Sequence, residues 1–406
     1  MTDKTDTKSD SPTTLGRRSF MMTAAFAAAA PIVSEATMAH ARLSNIGVPP
    51  ADAVLINANE NPLGPSKGAL KAINDAALTG GRYDRFDAQD KLIATFAKQH
   101  GLKPENIVVY AGSSEPLHYT VLSYTGPNKS LVTADPSYES AMMAAGVSGA
   151  KIHKVHLNGD YAHDVKAMVA ADANAGVIYI CNPNNPSGTI TPRADILWAL
   201  ENKPAGSILL VDEAYTHLSD QQDVLDQVVA GKDLIVLRTF SKVYGMAGIR
   251  CGLAIGRPDL LAKLQAYNVN PLPITALAAA QASLDDPDLV PTRKKIIGDT
   301  RRHTIAWLKS AGYKVIGEPE SNCFMIDTGR DGHGVIKAMQ EHKVYIGRIW
   351  PVWPNAVRVT VGTPEEMAKF KVAFKKVMDG PAYAAAPAAT KVSSITPSKS
   401  GGTFLS

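Results

Sequence analysis

The sequence has few cysteines, few aromatic residues and little excess charge. Its 406 residues include only Cys181, Cys251 and Cys323, which are odd in number and too widely spaced for a metal-ligand motif or a disulfide framework. Charged residues make up 20% of the chain and the formal net charge is +4, so no charge field suited to nucleic acid is present. These features predict buried reduced thiols and a function on small molecules.

A phosphate loop of the kind found in nucleotide hydrolases is also missing. Asp212 and Glu213 end an apolar run, as the acidic strand of an ATPase does. That chemistry needs the pattern G-x-x-x-x-G-K-[ST], whereas Lys232 is followed by Asp233 and lacks the upstream glycine. Nucleotide hydrolysis is therefore excluded, and the two carboxylates need another explanation.

The N-terminus contains a short alanine-rich run and no lasting membrane span. Arg17 and Arg18 precede this run, which ends before Ser34 and is too short and too poor in Leu and Ile to stay in a bilayer. The pattern resembles a twin-arginine export signal over residues 1–41, with Ala39 and Ala41 forming an A-x-A cleavage site. It predicts a periplasmic or secreted protein that meets the membrane only during export. An ordinary helix after a dibasic pair is the alternative.

Strand-like apolar runs alternate with stretches long enough for helices. The runs lie at residues 107–110, 131–133, 151–155, 177–181, 208–211, 234–237 and 253–255. Such continuous apolar strands favour a mostly parallel sheet in an α/β fold. We expect a large domain over residues 83–272, a smaller α/β domain over 273–380, an N-terminal segment over 42–82 that joins the smaller domain, and a disordered tail over 381–406.

Lys242 is the strongest candidate for a reactive side chain. It follows an apolar run and a turn of Thr239, Phe240 and Ser241, and Arg250 stands nearby among glycines. A buried lysine beside cationic groups becomes nucleophilic and forms Schiff bases with carbonyl compounds. A solvated surface lysine is the alternative for an isolated S-K pair. The other segments at strand ends favour the reactive amine.

These segments place polar groups where parallel strands end. Asn185 lies in a proline-rich turn after one run, Asp212 ends the next, and we expect Lys242 and Arg250 to follow strands of the same sheet. A turn at Ser113 and Ser114 offers free backbone amides to a phosphate. Together these residues suit a phosphorylated, aldehyde-bearing cofactor with a ring nitrogen, although each turn taken alone is ordinary structure.

Several motifs in a fixed order carry a resemblance that spans residues 54–378. They are N-E-N-P-L-G-P at Asn59, the Arg82–Tyr83 pair, G-S-S-E at Gly112, P-S-Y at Pro136, N-P-N-N-P-S-G at Asn182, D-E-A-Y at Asp212, T-F-S-K at Thr239 and R-V-T-V-G-T at Arg358. The chain resembles the fold-type I pyridoxal 5′-phosphate enzymes of the class I/II aminotransferases. It is most similar to the histidinol-phosphate aminotransferase branch.

The resemblance implies a role for each matching residue. Lys242 covalently holds the cofactor and shuttles the substrate proton, and Asp212 pairs with the ring nitrogen so that the ring accepts electrons. Asn185 and Tyr215 hydrogen-bond the phenolic oxygen, and Tyr138 stacks on the ring. The phosphate is held by a set of hydroxyl, amide and guanidinium donors, namely Ser113, Ser114, Thr239, Ser241 and Arg250.

The resemblance also implies partners and substrates. Tyr83 reaches a phosphate in the neighbouring subunit of a homodimer, unless it is an ordinary aromatic contact. Arg358 receives the α-carboxylate of an amino acid or 2-oxo acid, its alternative role being a salt bridge at the start of a strand. Arg348, near Trp350 and Trp353, shapes the side-chain pocket, and Asn185 also faces the substrate.

The expected reaction is transamination between an amino acid or amine and a 2-oxo acid. Racemisation, decarboxylation or elimination on the same cofactor is a second hypothesis, and a cofactor-binding protein without turnover is a third. Leu63 and the Trp- and Pro-rich stretch at 349–357 depart from the family pattern. Because histidine biosynthesis is cytoplasmic, export predicts a donor other than histidinol phosphate.

Overall fold

A seven-stranded sheet forms the centre of the larger part of the molecule. In the computed structural model, residues 48–84 and 87–382 are described, so the predicted signal at 1–41 and most of the predicted tail lie outside them. The strands are β2 (Ile107–Tyr110), β3 (Ser130–Asp135), β4 (Ile152–His156), β5 (Ala175–Cys181), β6 (Ile208–Asp212), β7 (Leu234–Thr239) and β8 (Gly252–Gly256), preceded in the chain by β1 (Val54–Ile56).

The sheet is parallel except at one side. Its order is β2-β8-β7-β6-β5-β3-β4, and β8 runs antiparallel to both of its neighbours. Strands β5, β6, β7 and β8 are buried along their whole length. Apolar side chains on both faces give a sheet covered by helices, which is the α/β fold that the sequence predicted.

Two smaller sheets lie outside the central one. Strands β9 (Lys314–Val315), β10 (Cys323–Asp327) and β12 (Ala356–Thr360) form an antiparallel sheet in the order β12-β10-β9. The second sheet pairs β1 in parallel with β11 (Val344–Ile346). The N-terminal segment therefore contributes a strand beside the C-terminal part of the chain.

Helices fill the connections and cover the sheets. They are α1 (Lys67–Ala77), α2 (Asp87–His100), α3 (Ser114–Tyr124), α4 (Ser140–Ser148), α5 (Val165–Ala170), α6 (Arg193–Asn202), α7 (Leu225–Val229), α8 (Pro258–Gln265), α9 (Ile274–Leu284), α10 (Leu289–Ser310), α11 (Gly332–Glu341) and α12 (Pro364–Asp379), with short 3₁₀ turns at Pro104–Asn106 and Thr216–Leu218. Within the described ranges, none of these helices is long and apolar enough to cross a membrane.

Hydrogen bonds join the N-terminal segment to the turn that carries Lys242. The Asn61 side chain donates to the Val243 carbonyl at 3.0 Å, and Arg293 donates to the carbonyls of both Val243 and Gly64. Gly245 has a left-handed backbone, with φ of 69°, and a Cβ there would collide with the Gly64 carbonyl. The two segments can approach this closely only because residue 245 is a glycine.

Candidate active site

A buried carboxylate lies at the end of the central strand β6. Asp212 is 3% exposed; its Oδ2 accepts from the Tyr179 hydroxyl at 3.0 Å and its Oδ1 accepts from the Ala214 amide at 3.1 Å. Burial, reinforced by the Asp212 charge, raises the pKa of Tyr179 well above its usual range. The Tyr179 phenol therefore keeps its proton and acts as a permanent donor that fixes the carboxylate in place.

Lys242 lies close to the end of β6, the strand that carries this carboxylate. Its side chain is 6% exposed, and its Nζ is 5.5 Å from the centre of the Tyr215 ring. Tyr215 follows Asp212 by three residues, so the turn after β6 and the turn after β7 meet at the same sheet edge. The structure thus places an amine, a carboxylate and a phenol at the same edge of the sheet.

A set of donors suited to an oxyanion surrounds the start of α3. Ser113 is the N-cap residue of this helix and its side chain makes no capping hydrogen bond, so that hydroxyl does not satisfy the backbone amides of the first turn. Thr239 donates to the Ser241 hydroxyl at 2.9 Å, and Arg250 donates to the same hydroxyl at 3.3 Å. A cation, hydroxyls and a helix N-terminus are the donor set that binds phosphate.

The guanidinium of Arg250 fits against a glycine. Gly112 has φ of 90°, and a Cβ at this position would collide with the Arg250 side chain. Arg250 also donates to the carbonyls of Ala111 and Ala247, so its planar head is held against the turn that precedes α3. These contacts orient the arginine before any ligand arrives.

Arg250 lies in the connection between β7 and β8, so it follows one strand of the sheet, as predicted, and stands just before the next. Arg250 precedes β8, and it reaches the edge shared by Asp212 and Lys242 because β8 runs antiparallel to β7 and begins where β7 ends. Its own backbone is left-handed, with φ of 69°. Arg250 thus lies at the same edge of the sheet as Asp212 and Lys242, because the strand that follows it runs opposite to β7.

Arg358 connects the smaller sheet to the central one. Its Nη1 donates to Asn185 Oδ1 at 2.8 Å and its Nη2 donates to the Asn57 carbonyl at 2.7 Å. Both Arg358 and Asn185 are 4% exposed, and Arg358 Nε has no hydrogen-bond partner within the described part of the chain. The alternative of a strand-start salt bridge is therefore not what the structure shows. One buried donor of Arg358 is left to meet an anion.

A second arginine lies beside the first, on the ring of Trp350. The Arg348 guanidinium is 4.3 Å from the ring centre and that of Arg358 is 5.6 Å from it. Arg348 Nη1 forms an ion pair with Glu139 Oε2 at 2.7 Å. Glu139 directly follows Tyr138, a half-buried residue that packs against the cluster containing Tyr215. The pair therefore lies at the border of the candidate site.

Tyr83 is the one predicted residue that the chain does not bring to this site. Its side chain is 85% exposed. Its predicted contact is with a neighbouring subunit, so a single chain neither makes nor excludes it.

Sequence reasoning missed three residues that the structure places here. Tyr179 supports Asp212, Glu139 pairs with Arg348, and Asn59 donates to the Tyr215 hydroxyl at 3.0 Å. Asn59 stands in the quoted N-E-N-P motif but had no role. The left-handed φ of Asn59, 54°, depends on tertiary contacts and gives no signal in the local sequence. For Tyr179 a signal existed, because side chains alternate between the two faces of β5 and Tyr179 therefore shares a face with Cys181.

The chain is similar to known proteins over most of its length. The sequence profile of the family Aminotransferase class I and II matches residues 51–374. A histidinol-phosphate aminotransferase of Symbiobacterium thermophilum is 33% identical over 334 residues, which cover 80% of this chain and 91% of that protein. An aromatic amino acid aminotransferase of Rhodococcus jostii is 33% identical over 325 residues, 78% of this chain and 88% of that one.

A solved structure shows the same fold. The crystal structure of histidinol-phosphate aminotransferase from Sinorhizobium meliloti in complex with pyridoxal-5′-phosphate superposes with a TM-score of 0.75 at 24% identity. The superposition covers 84% of this chain and 94% of that one.

Proposed function

Since the chain belongs to the class I and II aminotransferases and is a pyridoxal-phosphate-dependent transaminase, we propose that Lys242 is its catalytic amine and that Asp212 and Tyr215 complete the catalytic set. The observation that carries this proposal is the position of Lys242 Nζ over the ring of Tyr215. Tyr215 itself lies three residues after Asp212, whose carboxylate is buried.

The residues at the sheet edge fit the cofactor by their chemistry. A buried carboxylate suits a protonated ring nitrogen, and the Gly112 turn holds a guanidinium among hydroxyl groups where a phosphate needs donors. When bound, pyridoxal phosphate supplies an aldehyde that joins an amine and a ring that takes up electrons from the substrate. We assign its phosphate to Ser113, Ser114, Thr239, Ser241 and Arg250, its ring nitrogen to Asp212, its phenolic oxygen to Asn185 and Tyr215, and its ring face to Tyr138.

The substrate is held and deprotonated by the chain's own groups. We assign the α-carboxylate to Arg358, whose Nε is the buried donor without a partner in the described residues. Asn185 Oδ1 is occupied by Arg358, so its amide nitrogen remains to donate elsewhere. The Lys242 amine then takes the proton from the substrate α-carbon, which requires the uncharged amine.

Transamination can be separated from other reactions of the same cofactor by its need for an acceptor. We expect the purified holoenzyme to turn over an amino donor repeatedly only when a 2-oxo acid is supplied. Amino donors are tested singly, with and without the 2-oxo acid, and amine release and inversion are measured in parallel. Turnover without the acceptor would support a racemase, decarboxylase or lyase instead. Full cofactor occupancy without any response to amines would support a binding protein.

We propose that the amino donor carries no second anionic group. The support is the ion pair between Arg348 and Glu139, which lies beside the proposed carboxylate site on Trp350. An anionic tail, such as the phosphate of histidinol phosphate, meets the like charge of the Glu139 carboxylate, which also neutralises part of the Arg348 charge. A neutral tail leaves the pair intact. This supports a neutral amino acid or amine as the donor.

Replacing Glu139 should shift this preference. In Glu139→Gln, we expect the Kd of anionic-tailed donors to fall about 10-fold, because one unit charge near Arg348 is removed. The Kd of phenylalanine should change less than about twofold, which can be measured by spectral titration of the holoenzyme. The control is Glu201→Gln on the exposed face of α6, which makes the same change in net charge. Equal effects on both donor classes would contradict the proposal.

The oligomer and the destination of the protein are further proposals. We propose a homodimer in which Tyr83 reaches the partner's phosphate site, and the support is its 85% exposed ring. A monomer in sedimentation analysis that retains full activity would contradict it.

We also propose that the enzyme acts in the periplasm or outside the cell after twin-arginine export of the folded holoenzyme. Its support is Arg17–Arg18 with the A-x-A site, which precedes the family match at residue 51.

Export can be tested by conservative changes in the signal. In Arg17→Lys combined with Arg18→Lys, we expect the enzyme to remain in the cytoplasm while keeping its activity. Fractionation of cells, with the processed length read by mass spectrometry, measures this. Unchanged export of the doubly substituted protein would overturn the twin-arginine proposal.

A further inference from the structure

Asn59 lies at the junction of three parts of the chain. It is 1% exposed and joins the N-terminal segment to Tyr215 after β6, to Cys323 on β10 and to Thr360 on β12. Its left-handed backbone, with φ of 54°, turns the side chain toward these partners. An asparagine tolerates that conformation better than most residues.

Thr360 fixes which way the Asn59 amide faces. The Asn59 backbone N–H donates to Thr360 Oγ1 at 2.9 Å, and the Thr360 hydroxyl donates to Asn59 Oδ1 at 3.1 Å. A hydroxyl has one proton, and this contact uses it. The amide oxygen is therefore held at Thr360, and the amide nitrogen must point the other way.

Both hydrogens of that nitrogen have acceptors. Asn59 Nδ2 donates to the Tyr215 hydroxyl at 3.0 Å and to Cys323 Sγ at 3.2 Å. A flipped amide would place oxygen against the Tyr215 hydroxyl and would accept the phenol proton. The network thus makes the Tyr215 oxygen an acceptor from Asn59, which leaves its own proton to be donated in another direction.

The surroundings of Tyr215 keep its hydroxyl protonated, so that it can donate a hydrogen bond. Burial raises the pKa of the phenol well above its usual range, with Cys323 and Cys181 acting the same way and Arg358 and Asn59 opposing them. Lys242 Nζ lies over the ring. The phenol therefore stays protonated and serves as a donor.

We propose that Asn59 is a positioning residue that aims the Tyr215 proton at the phenolic oxygen of the bound cofactor. The inference rests on the proposed role of Tyr215 in cofactor binding. A donor that is already aimed stabilises the anionic oxygen without reorganisation, and a misdirected one does not. Thr360 acts one step further away, by preventing the amide from flipping.

The test uses the pH midpoint of the visible absorbance change of the holoenzyme. Removing the donated hydrogen bond destabilises the anionic oxygen, so we expect the midpoint to rise. Tyr215→Phe should raise it by about one pH unit and Asn59→Gly by about half a unit. Glycine adopts positive φ without strain, so the backbone at residue 59 is preserved. Thr360→Val should also raise the midpoint, and Thr360→Ser should leave it unchanged.

A double substitution separates positioning from a general disturbance. In the Tyr215→Phe background, Asn59→Gly should produce no further shift, because its effect passes through the Tyr215 hydroxyl. A further shift of equal size would overturn the inference, and so would an unchanged midpoint in Asn59→Gly and Thr360→Val while Tyr215→Phe shifts. An unchanged midpoint in Tyr215→Phe itself would reject the proposed role of Tyr215, and the inference with it.

Discussion

In Lys242→Ala, amino transfer falls by on the order of 10⁴-fold, because the substitution removes both the attachment of the cofactor and the base that moves the α-proton. Cofactor binding persists more weakly, since the Arg250 turn and the Asp212 carboxylate are unchanged. Steady-state and single-turnover rates measure the loss. The exposed Lys232, changed to alanine, provides a matched control.

Chemical trapping checks the same residue independently. Borohydride reduction of the holoenzyme, followed by peptide mapping, should place the cofactor label on Lys242 in the parent and in Lys232→Ala. The label should be missing from Lys242→Ala. A label on another lysine in the parent protein would refute the assignment on which the proposed mechanism depends.

In Asp212→Asn, we expect kcat/KM to fall by about 10²- to 10³-fold with little change in folding. The asparagine is isosteric: its Oδ1 can still accept from the Ala214 amide and its Nδ2 can donate to the Tyr179 oxygen, but it carries no charge to stabilise a protonated ring nitrogen. Tyr179→Phe is the matched control, because it removes a support of the carboxylate and keeps the charge. We expect it to cost less than about 10-fold.

The kinetic comparison decides which property of Asp212 matters. If both substitutions reduce kcat/KM equally, the carboxylate acts through its position and not through its charge. Activity of Asp212→Asn within about twofold of the parent would exclude the ring-nitrogen assignment. Both proteins should unfold near the temperature of the parent, which thermal melting can establish.

The strands of the central sheet could be predicted because their apolar runs are local. Val177 to Cys181 and Ile208 to Val211 have no polar residue except Tyr179, and both form fully buried strands. Strand direction is not local. Nothing in the residues of β8 indicates that it runs antiparallel to β7, so the sequence did not show that both ends of the β7–β8 connection, with Lys242 and Arg250, lie at one edge of the sheet.

Site residues could be predicted only where a local sequence pattern includes them, and their long-range side-chain partners could not. Asp212 and Lys242 were found from their positions at strand ends, whereas the partners Asn59 and Thr360 are 301 residues apart and no spacing rule connects them. Glu139 precedes α4 as its N-cap residue, and nothing in the local sequence indicates that it pairs with Arg348, which is more than 200 residues away. Such contacts depend on how the sheets dock, which periodicity does not specify.

The long-range bond between Asn59 and Thr360 sets the order in which the protein can mature. During translation, the N-terminal segment and the Tyr215 turn emerge early, but the hydroxyl that orients Asn59 lies on β12, near the C-terminal end of the described residues. A ribosome-bound chain that stops before residue 360 has most of its sheet and no oriented amide. Completion of the site must therefore wait until synthesis has passed β12.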